Sequence, residues 1–392
     1  MLVRARHDPG VNQGFPATWH DLLAVIGRAQ YDVPPLWPRR APAWLQVGNM
    51  VQYADWQFAL GLDDTPGASL VRTPVTVVFG ALGALGAVAQ RRASRRAFEG
   101  LAALMLCASL GVVGILNLRA GPSYGWGIVA QGALHEARER DYFFALAFAC
   151  WGLWAGIGIA QFARRLGPGA RLAMVALALV PVAANWPATS RRRTPDAQLP
   201  GVLGLATLAA APANAVLLLA GDNDSYAVWW AQHVRGVRRD VTPVTVPLLP
   251  ATWYRAEMRR RWGLMDSSVV SRWSGTDLTL EAVAQGARRT GRPVAVGVGV
   301  SRRERELLGS GWIFGGLVYV ESSEAATRVD AGLAARSAAA VVGYAHGELR
   351  GEARDATSRY VLALLRCPAA VVAGDTLGGP ARSRLLERTC NY

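Results

Sequence analysis

Four apolar stretches in the first half of the chain carry no charged residue: 74–90, 100–118, 142–162 and 172–186. Each is roughly 15 to 21 residues long, and about 20 apolar residues cross a hydrocarbon core about 30 Å thick; the last run is marginal. Helices buried inside a large soluble protein are the alternative, but several charge-free runs of this length are rare in soluble folds. Mean hydropathy is +0.18, high for a soluble chain. The expected fold class is therefore an α-helical transmembrane bundle of about four spans.

Charge orients the bundle. Arg91, Arg92, Arg95 and Arg96 follow the first run, and Arg164, Arg165 and Arg171 follow the third. Arginine accumulates on cytoplasmic loops, so both clusters belong inside. Residues 1–70, the loop 119–141 and everything after Trp186 then belong outside. Arg191 to Arg193 go against the scheme, which rests on the two short, densely basic loops. The pattern predicts a multi-pass membrane protein with an extracytoplasmic domain.

The net charge of +14 comes entirely from arginine, with no lysine in the chain. Together with abundant Ala, Gly, Leu and Val, this reads as a coding bias. No zinc-finger spacing, RNA-binding aromatic signature, Walker motif or dinucleotide fingerprint accompanies it, so no nucleic-acid partner is expected. The amino terminus, "MLVRARHDPGVNQGFPATWHD", has no apolar signal region although some 70 residues must cross the membrane ahead of the first span. The expectation is that Met1 starts inside a longer architecture.

Beyond Trp186 the pattern becomes α/β. Strand-like runs 215–220, 241–246, 294–298 and 317–320 alternate with helical stretches 225–237, 251–261 and 278–290, which predicts a mostly parallel sheet within a domain spanning 199–392. Residues 199–220 are uncharged and long enough to span. Pro212 and Asn214 interrupt them, so a break between helix and strand is the preferred reading and a fifth span the alternative.

At the end of the first strand lies "GDND", residues 221–224. A strand's carboxyl end is where open α/β sheets bind ligands, and two carboxylates could hold a divalent metal. The competing reading makes Asp224 the N-cap of a helix starting near Ser225, with Asp222 fixing the turn. Capping is the preferred reading, contact with a polar substrate the second and a catalytic metal the weakest. Tyr226, Trp229, Trp230 and His233 follow on the helix, with Trp253 and Tyr254 after the next strand. Such rings stack on sugars, settle at headgroup level or simply fill a core. The candidate substrate-binding set is Asp222, Asn223, Asp224, Trp229, Trp230, Trp253 and Tyr254.

A second candidate lies before the third span, where Glu136, Arg138, Glu139, Arg140 and Asp141 abut apolar sequence, with Arg119 and Tyr124 just upstream. Arginine binds phosphate bidentately and carboxylates can hold it in place, so Arg138, Glu139, Arg140, Asp141 and Tyr124 form a candidate lipid-phosphate site. An ordinary solvated helix end is the equal alternative. Cys107 and Cys150 fall within spans and are expected free; Cys367 and Cys390 fall in the exported domain, where a disulfide can persist.

Three blocks carry a resemblance: "NQGFPATWHDLLAVIGRAQYDVPPLWPRRAPAWLQVGNMVQYADWQFAL" (12–60), "HEARERDYFFALAFACWGLWAGIGIA" (135–160) and "GDNDSYAVWWAQHVRGVRRDV" (221–241). They resemble a family of bacterial polytopic membrane proteins similar to the vertebrate endoplasmic-reticulum O-mannosyltransferase of plexin-type domains. That family is GT-C-like. The resemblance implies a place in the bacterial inner membrane, a polyprenyl-phosphate-linked sugar as donor, an exported protein or glycan as acceptor, membrane lipid as a partner and no required cofactor. It also implies a catalytic acid on a first extracytoplasmic loop that has no counterpart in this chain, which is therefore expected to be inactive alone. A non-catalytic, membrane-anchored binding domain is the alternative.

Overall fold

The computed structural model describes residues 1–392 apart from 28, 30–34, 131, 137, 191, 193, 194, 310, 325, 348, 354, 355, 376–389, 391 and 392. Arg191 and Arg193, two of the three arginines that oppose the orientation scheme, lie outside the described residues. The chain divides into two compact units, Asp32–Ser190 and the combination of Met1–Tyr31 with Arg191–Tyr392. The expected segment 1–70 is thus divided between them.

The first unit holds four helices long and apolar enough to cross a membrane: span 1 (Arg72–Ala93), span 2 (Arg95–Leu116), span 3 (Asp141–Ala163) and span 4 (Pro168–Thr189). At 1.5 Å per residue, 22 residues reach about 33 Å, enough for the core of a bilayer. Within their most apolar windows only 6 to 33% of residues are buried by the protein. A soluble helix bundle would hide those faces, so the buried-helix alternative fails and lipid is the natural solvent. Ser94 alone separates spans 1 and 2 and caps the second by accepting from Ala97 N. This places Arg91, Arg92, Arg95 and Arg96, all exposed, on one tight turn. Span 4 is assembled from two shorter helices, Pro168–Leu177 and Val180–Thr189; Pro181 sits in the first turn of the second, where its missing N–H costs nothing.

The second unit is a six-stranded mixed sheet in the order β2-β1-β3-β5-β4-β6. Its strands are β1 (Val216–Leu219), β2 (Thr242–Thr245), β3 (Val294–Gly297), β4 (Trp312–Phe314), β5 (Val318–Glu321) and β6 (Arg328–Val329). β1 pairs parallel with β2 and β3, and β6 with β4, whereas β5 runs antiparallel to β3 and β4. Every residue of β1, β2 and β3 is buried. Strands covered on both faces read as short continuous apolar runs, as β1 and β3 do, whereas β2, Thr-Pro-Val-Thr, carries two buried hydroxyls.

Residues 199–220 are not a fifth span. They form a 12-residue helix, Leu199–Ala210, then a turn and β1. Twelve residues reach only about 18 Å. Leu199, Val202, Leu203, Ala206 and Leu208 are buried in the core beneath the sheet. Four spans return the chain to its starting side, so the domain is extracytoplasmic if the arginine turns are cytoplasmic.

Candidate functional site

From β1 the chain crosses through the helix Asp222–His233 to β2 on one flank, then returns through Thr252–Trp262 and Thr276–Arg289 to β3 on the other. The carboxyl ends of β1 and β3 therefore part, which is the position where open α/β sheets form ligand crevices. A cavity of about 190 Å³ lies there, lined by Gly221, Asp222, Asn223, Asp224, Gly299 and Tyr360 among others. That is below the ~300–1,000 Å³ typical of drug-sized ligands and suits a single small ring.

The helix begins at Asp222 with Gly221 as its N-cap, so Asp224 is its third residue and not, as the sequence suggests, the cap itself. The carboxylate reaches backwards instead. Asp224 Oδ2 accepts from Ala220 N at 2.8 Å, and Oδ1 accepts from Gly221 N at 2.9 Å and Ser225 N at 3.0 Å. An acid at the third position commonly closes a helix start in this way, and glycine at the cap has no side chain to do so. Burial pushes the Asp224 carboxyl above its ordinary value, against the backbone N–H groups that favour the charged form.

Chemically, this arrangement spends the positive end of the helix on an internal carboxylate. A bare helix start would favour a phosphate; this one does not. Asp222 and Asn223 are exposed at the crevice mouth and offer acceptor and donor groups suited to hydroxyls. Gly297, the last residue of β3, and Gly299 just beyond it form the opposite wall. A Cβ on Gly299 would stand 3.5 Å from Asp224 Oδ2 and 3.6 Å from Tyr360 Oη, so these groups converge on one point. Burial and the nearby Asp224 raise the Tyr360 hydroxyl's pKa. Tyr360 lies on the remote helix Ala356–Asp375. Only the paired glycines of "VGVGV" (296–300), directly after a strand, could have pointed to that wall.

The aromatic candidates do not gather at this crevice. Trp229, Trp253 and Tyr254 line a different cavity, of about 350 Å³, with His233 and Glu257. Trp230 and Tyr226 line a third groove, of about 810 Å³, that adjoins the crevice at Asn223 and runs beside Asp196 and Pro200. Tyr254 Oη accepts from Thr245 N at 2.7 Å, so its hydroxyl is committed inward.

In the membrane unit, the cluster before span 3 is a bonded polar layer. Glu139 accepts from Tyr53 Oη at 2.8 Å and from Ser123 N at 3.1 Å. Glu136 accepts from Arg119 N at 3.0 Å and pairs with Arg140 at 3.0 Å, and Arg140 also donates to Tyr142 Oη. Burial raises the Tyr53 hydroxyl's pKa. The Glu136 carboxylate thus holds Arg140 in place, while Arg138 is exposed with Cζ 5.8 Å from the Tyr142 ring. Asp141 opens the 3-10 turn into span 3, and Tyr124 packs against the Ala41, Leu45 and Ala120 cluster. Sequence reasoning missed Tyr53 and Asn49, whose Oδ1 accepts from Gly121 N at 2.7 Å; both lie on the separate helix Ala43–Asp55. Cys367 and Cys390 are disulfide-bonded with Cα atoms 4.8 Å apart, and Cys107 and Cys150 are free. Among the described residues no three His, Cys, Asp or Glu side chains converge as metal ligands.

Comparison with known proteins adds one match: residues 202–279 are similar to the family described as TMEM260-associated domain 2. No curated protein and no solved structure matches the chain. The match covers β1, the GDND turn, both tryptophans of the helix Asp222–His233, β2, and Trp253 and Tyr254. The block 221–241 lies inside it; the blocks 12–60 and 135–160 lie outside. Four apolar spans followed by such a domain make a membrane-anchored, multi-span architecture.

Proposed function

We propose that the protein is part of a GT-C-like glycosyltransferase whose donor is a polyprenyl-phosphate-linked sugar and whose acceptor is an exported protein or envelope glycan. Protein O-mannosylation is the reaction the family resemblance suggests. The observation that carries the reading is the crevice between β1 and β3, where Asp222 and Asn223 stand at the mouth and Asp224 neutralises the helix start. A site built this way prefers hydroxyls to phosphate, which fits a sugar ring and argues against a nucleotide sugar. Arg138, with Arg140 braced by Glu136, Glu139 on Tyr53, Asp141 and Tyr124, would serve the lipid phosphate at the membrane face. The reading requires no divalent metal.

One observation favours a second reading, a non-catalytic binding domain. Transfer needs an acid or base free to face the acceptor hydroxyl, and Asp224 is spent on three backbone amides. Incubating the full chain in detergent with labelled polyprenyl-phosphate mannose and membrane extract separates the two. Saturable binding of methyl mannoside, weakened by Asp222→Asn, with no labelled product from the chain alone, is the expected result. Absence of sugar binding overturns the proposal. Turnover abolished by Asp222→Asn places the catalytic centre in the motif itself and removes the binding-only reading.

A further inference from the structure

The 350 Å³ cavity holding Trp229 and Trp253 has a chemistry of its own. It lies between the carboxyl-terminal half of the helix Asp222–His233, the helix Thr252–Trp262 and residues 10–13 of the amino-terminal segment. Its walls include the indoles of Trp229, Trp253 and Trp262, and its polar groups include His233, Glu257 and Arg239. An apolar lining with few polar groups of defined charge is the usual build of a small-molecule site.

Most of those polar groups are already matched. Glu257 is buried and its Oε1 lies 3.0 Å from Arg261 Nε. Asp8 pairs with Arg260 at 2.7 Å and also with Arg261, which ties the amino-terminal segment over the cavity. That segment fits closely, because a Cβ on Gly10 would fall 2.3 Å from His233 Cε1. Arg239 is different. It is exposed, its Nε makes one long contact of 3.3 Å to Gln232 O, and among the described residues it has no carboxylate partner. Its charge is also felt at His233, whose basicity is lowered first by desolvation and then by Arg239 and Arg261. The cavity therefore combines indole faces with one unmatched guanidinium.

We propose that this cavity is a second saccharide site, distinct from the β1–β3 crevice, that takes a carboxylated sugar ring of the uronic acid class. The ring's C–H face stacks on an indole, and the carboxylate meets the planar fork of Arg239, which binds carboxylates bidentately. A phosphate alone would use the guanidinium but not the indoles. A neutral hexose would use the indoles and leave the charge unmatched. The proposal rests on the reading of the domain as saccharide-binding, yet it concerns other residues and another ligand charge.

The test is tryptophan fluorescence titration of the full chain in detergent with D-glucuronate, D-glucose and inorganic phosphate. Glucuronate is expected to quench saturably, with glucose and phosphate each at least ten-fold weaker. Arg239→Gln is expected to weaken glucuronate at least ten-fold at an unchanged melting temperature, and Arg239→Lys, which keeps the charge but loses the planar fork, to bind with an affinity between those of the wild type and Arg239→Gln. Trp253→Ala is expected to lose it as well. Equal binding of phosphate, equal binding of glucose, or glucuronate affinity untouched by Arg239→Gln would each overturn the proposal. The crevice is scored separately, by methyl mannoside and Asp222→Asn, so either site can fail alone.

Discussion

Gly86 of span 1 and Gly158 of span 3 meet backbone to backbone. A Cβ on Gly86 would lie 1.8 Å from Trp154 O and 2.8 Å from Gly158 N, and one on Gly158 would lie 2.0 Å from Leu82 O. Small residues allow such approach between membrane helices, where packing rather than hydrophobic exclusion drives association. Gly86→Val and Gly158→Val should therefore separate the two spans and lower stability by about 1–3 kcal/mol or more, the scale of overpacking. Gly152→Ala on the same helix, where a Cβ meets nothing within 4 Å, should be close to neutral. Detergent unfolding curves of the three variants measure the difference.

The sheet shows how much of this was legible. β1, β2 and β3 are fully buried four-residue runs and β5 is buried in its first half, and each lies within or one residue from a run visible in the sequence. β4 and β6 have three and two residues, too short for any periodicity, and β5 is antiparallel because β4 inserts beside it. The helix Leu199–Ala210 is as apolar as a span because both its sides are covered by protein, a distinction composition cannot draw. At the candidate site, Asp222 and Asp224 were readable, but the division of the aromatics was not. Trp229 and Trp230 are consecutive and so point about 100° apart around the helix, into different cavities.

Asp224 should matter more to folding than Asp222. Its carboxylate satisfies the backbone N–H groups of Ala220, Gly221 and Ser225 at the junction of β1 and the following helix. Leaving such donors unmet costs about 1–3 kcal/mol. Asp224→Ala is expected to destabilise the domain by that amount, whereas Asp222→Ala, at an exposed position, should stay within about 0.5 kcal/mol. Denaturant titration of both variants checks the order; an equal loss would mean that Asp222 shares the capping task.

The disulfide between Cys367 and Cys390 joins residues 23 apart in sequence. Closing a loop of that size restricts the unfolded chain by about 3 kcal/mol in the chain-entropy account. Reduction, or the double substitution Cys367→Ser with Cys390→Ser, should lower the melting temperature of the α/β domain. Under the same reductant the double variant should show no further change.

His233 gives the domain a pH dependence with a definite sign. Desolvation first, then Arg239 and Arg261, hold its folded-state pKa below the ordinary 6.5. The folded state thus favours the neutral imidazole, so its contribution is fully present above about pH 6.5 and is lost as pH falls through the lowered value. Glu257, raised from 4.5 by burial, acts in the opposite sense, its contribution being lost as pH rises. The difference between wild type and His233→Gln isolates the histidine: stability of the wild type should fall more steeply than that of the variant on acidification from pH 7.5 to 5.5. Parallel curves would show that His233 has no such role.

The arginine turns decide on which side all this chemistry happens. Arg91, Arg92, Arg95 and Arg96 are exposed around a single-residue link, so a concentrated charge sits at one end of spans 1 and 2. At the start of span 1, by contrast, Arg72 is fully buried, with its guanidinium 2.8 Å from Asp55 and bonded to the carbonyls of Asp63, Thr65 and Gly67. A neutralised, enclosed arginine carries little weight in orientation, whereas four exposed ones carry much. Reporter fusions after Arg96 should behave as cytoplasmic, and fusions at the carboxyl terminus as exported. A cytoplasmic carboxyl terminus would reverse the bundle and expose the domain to nucleotide sugars and a reducing compartment, where the disulfide would not persist and an exported acceptor would be out of reach.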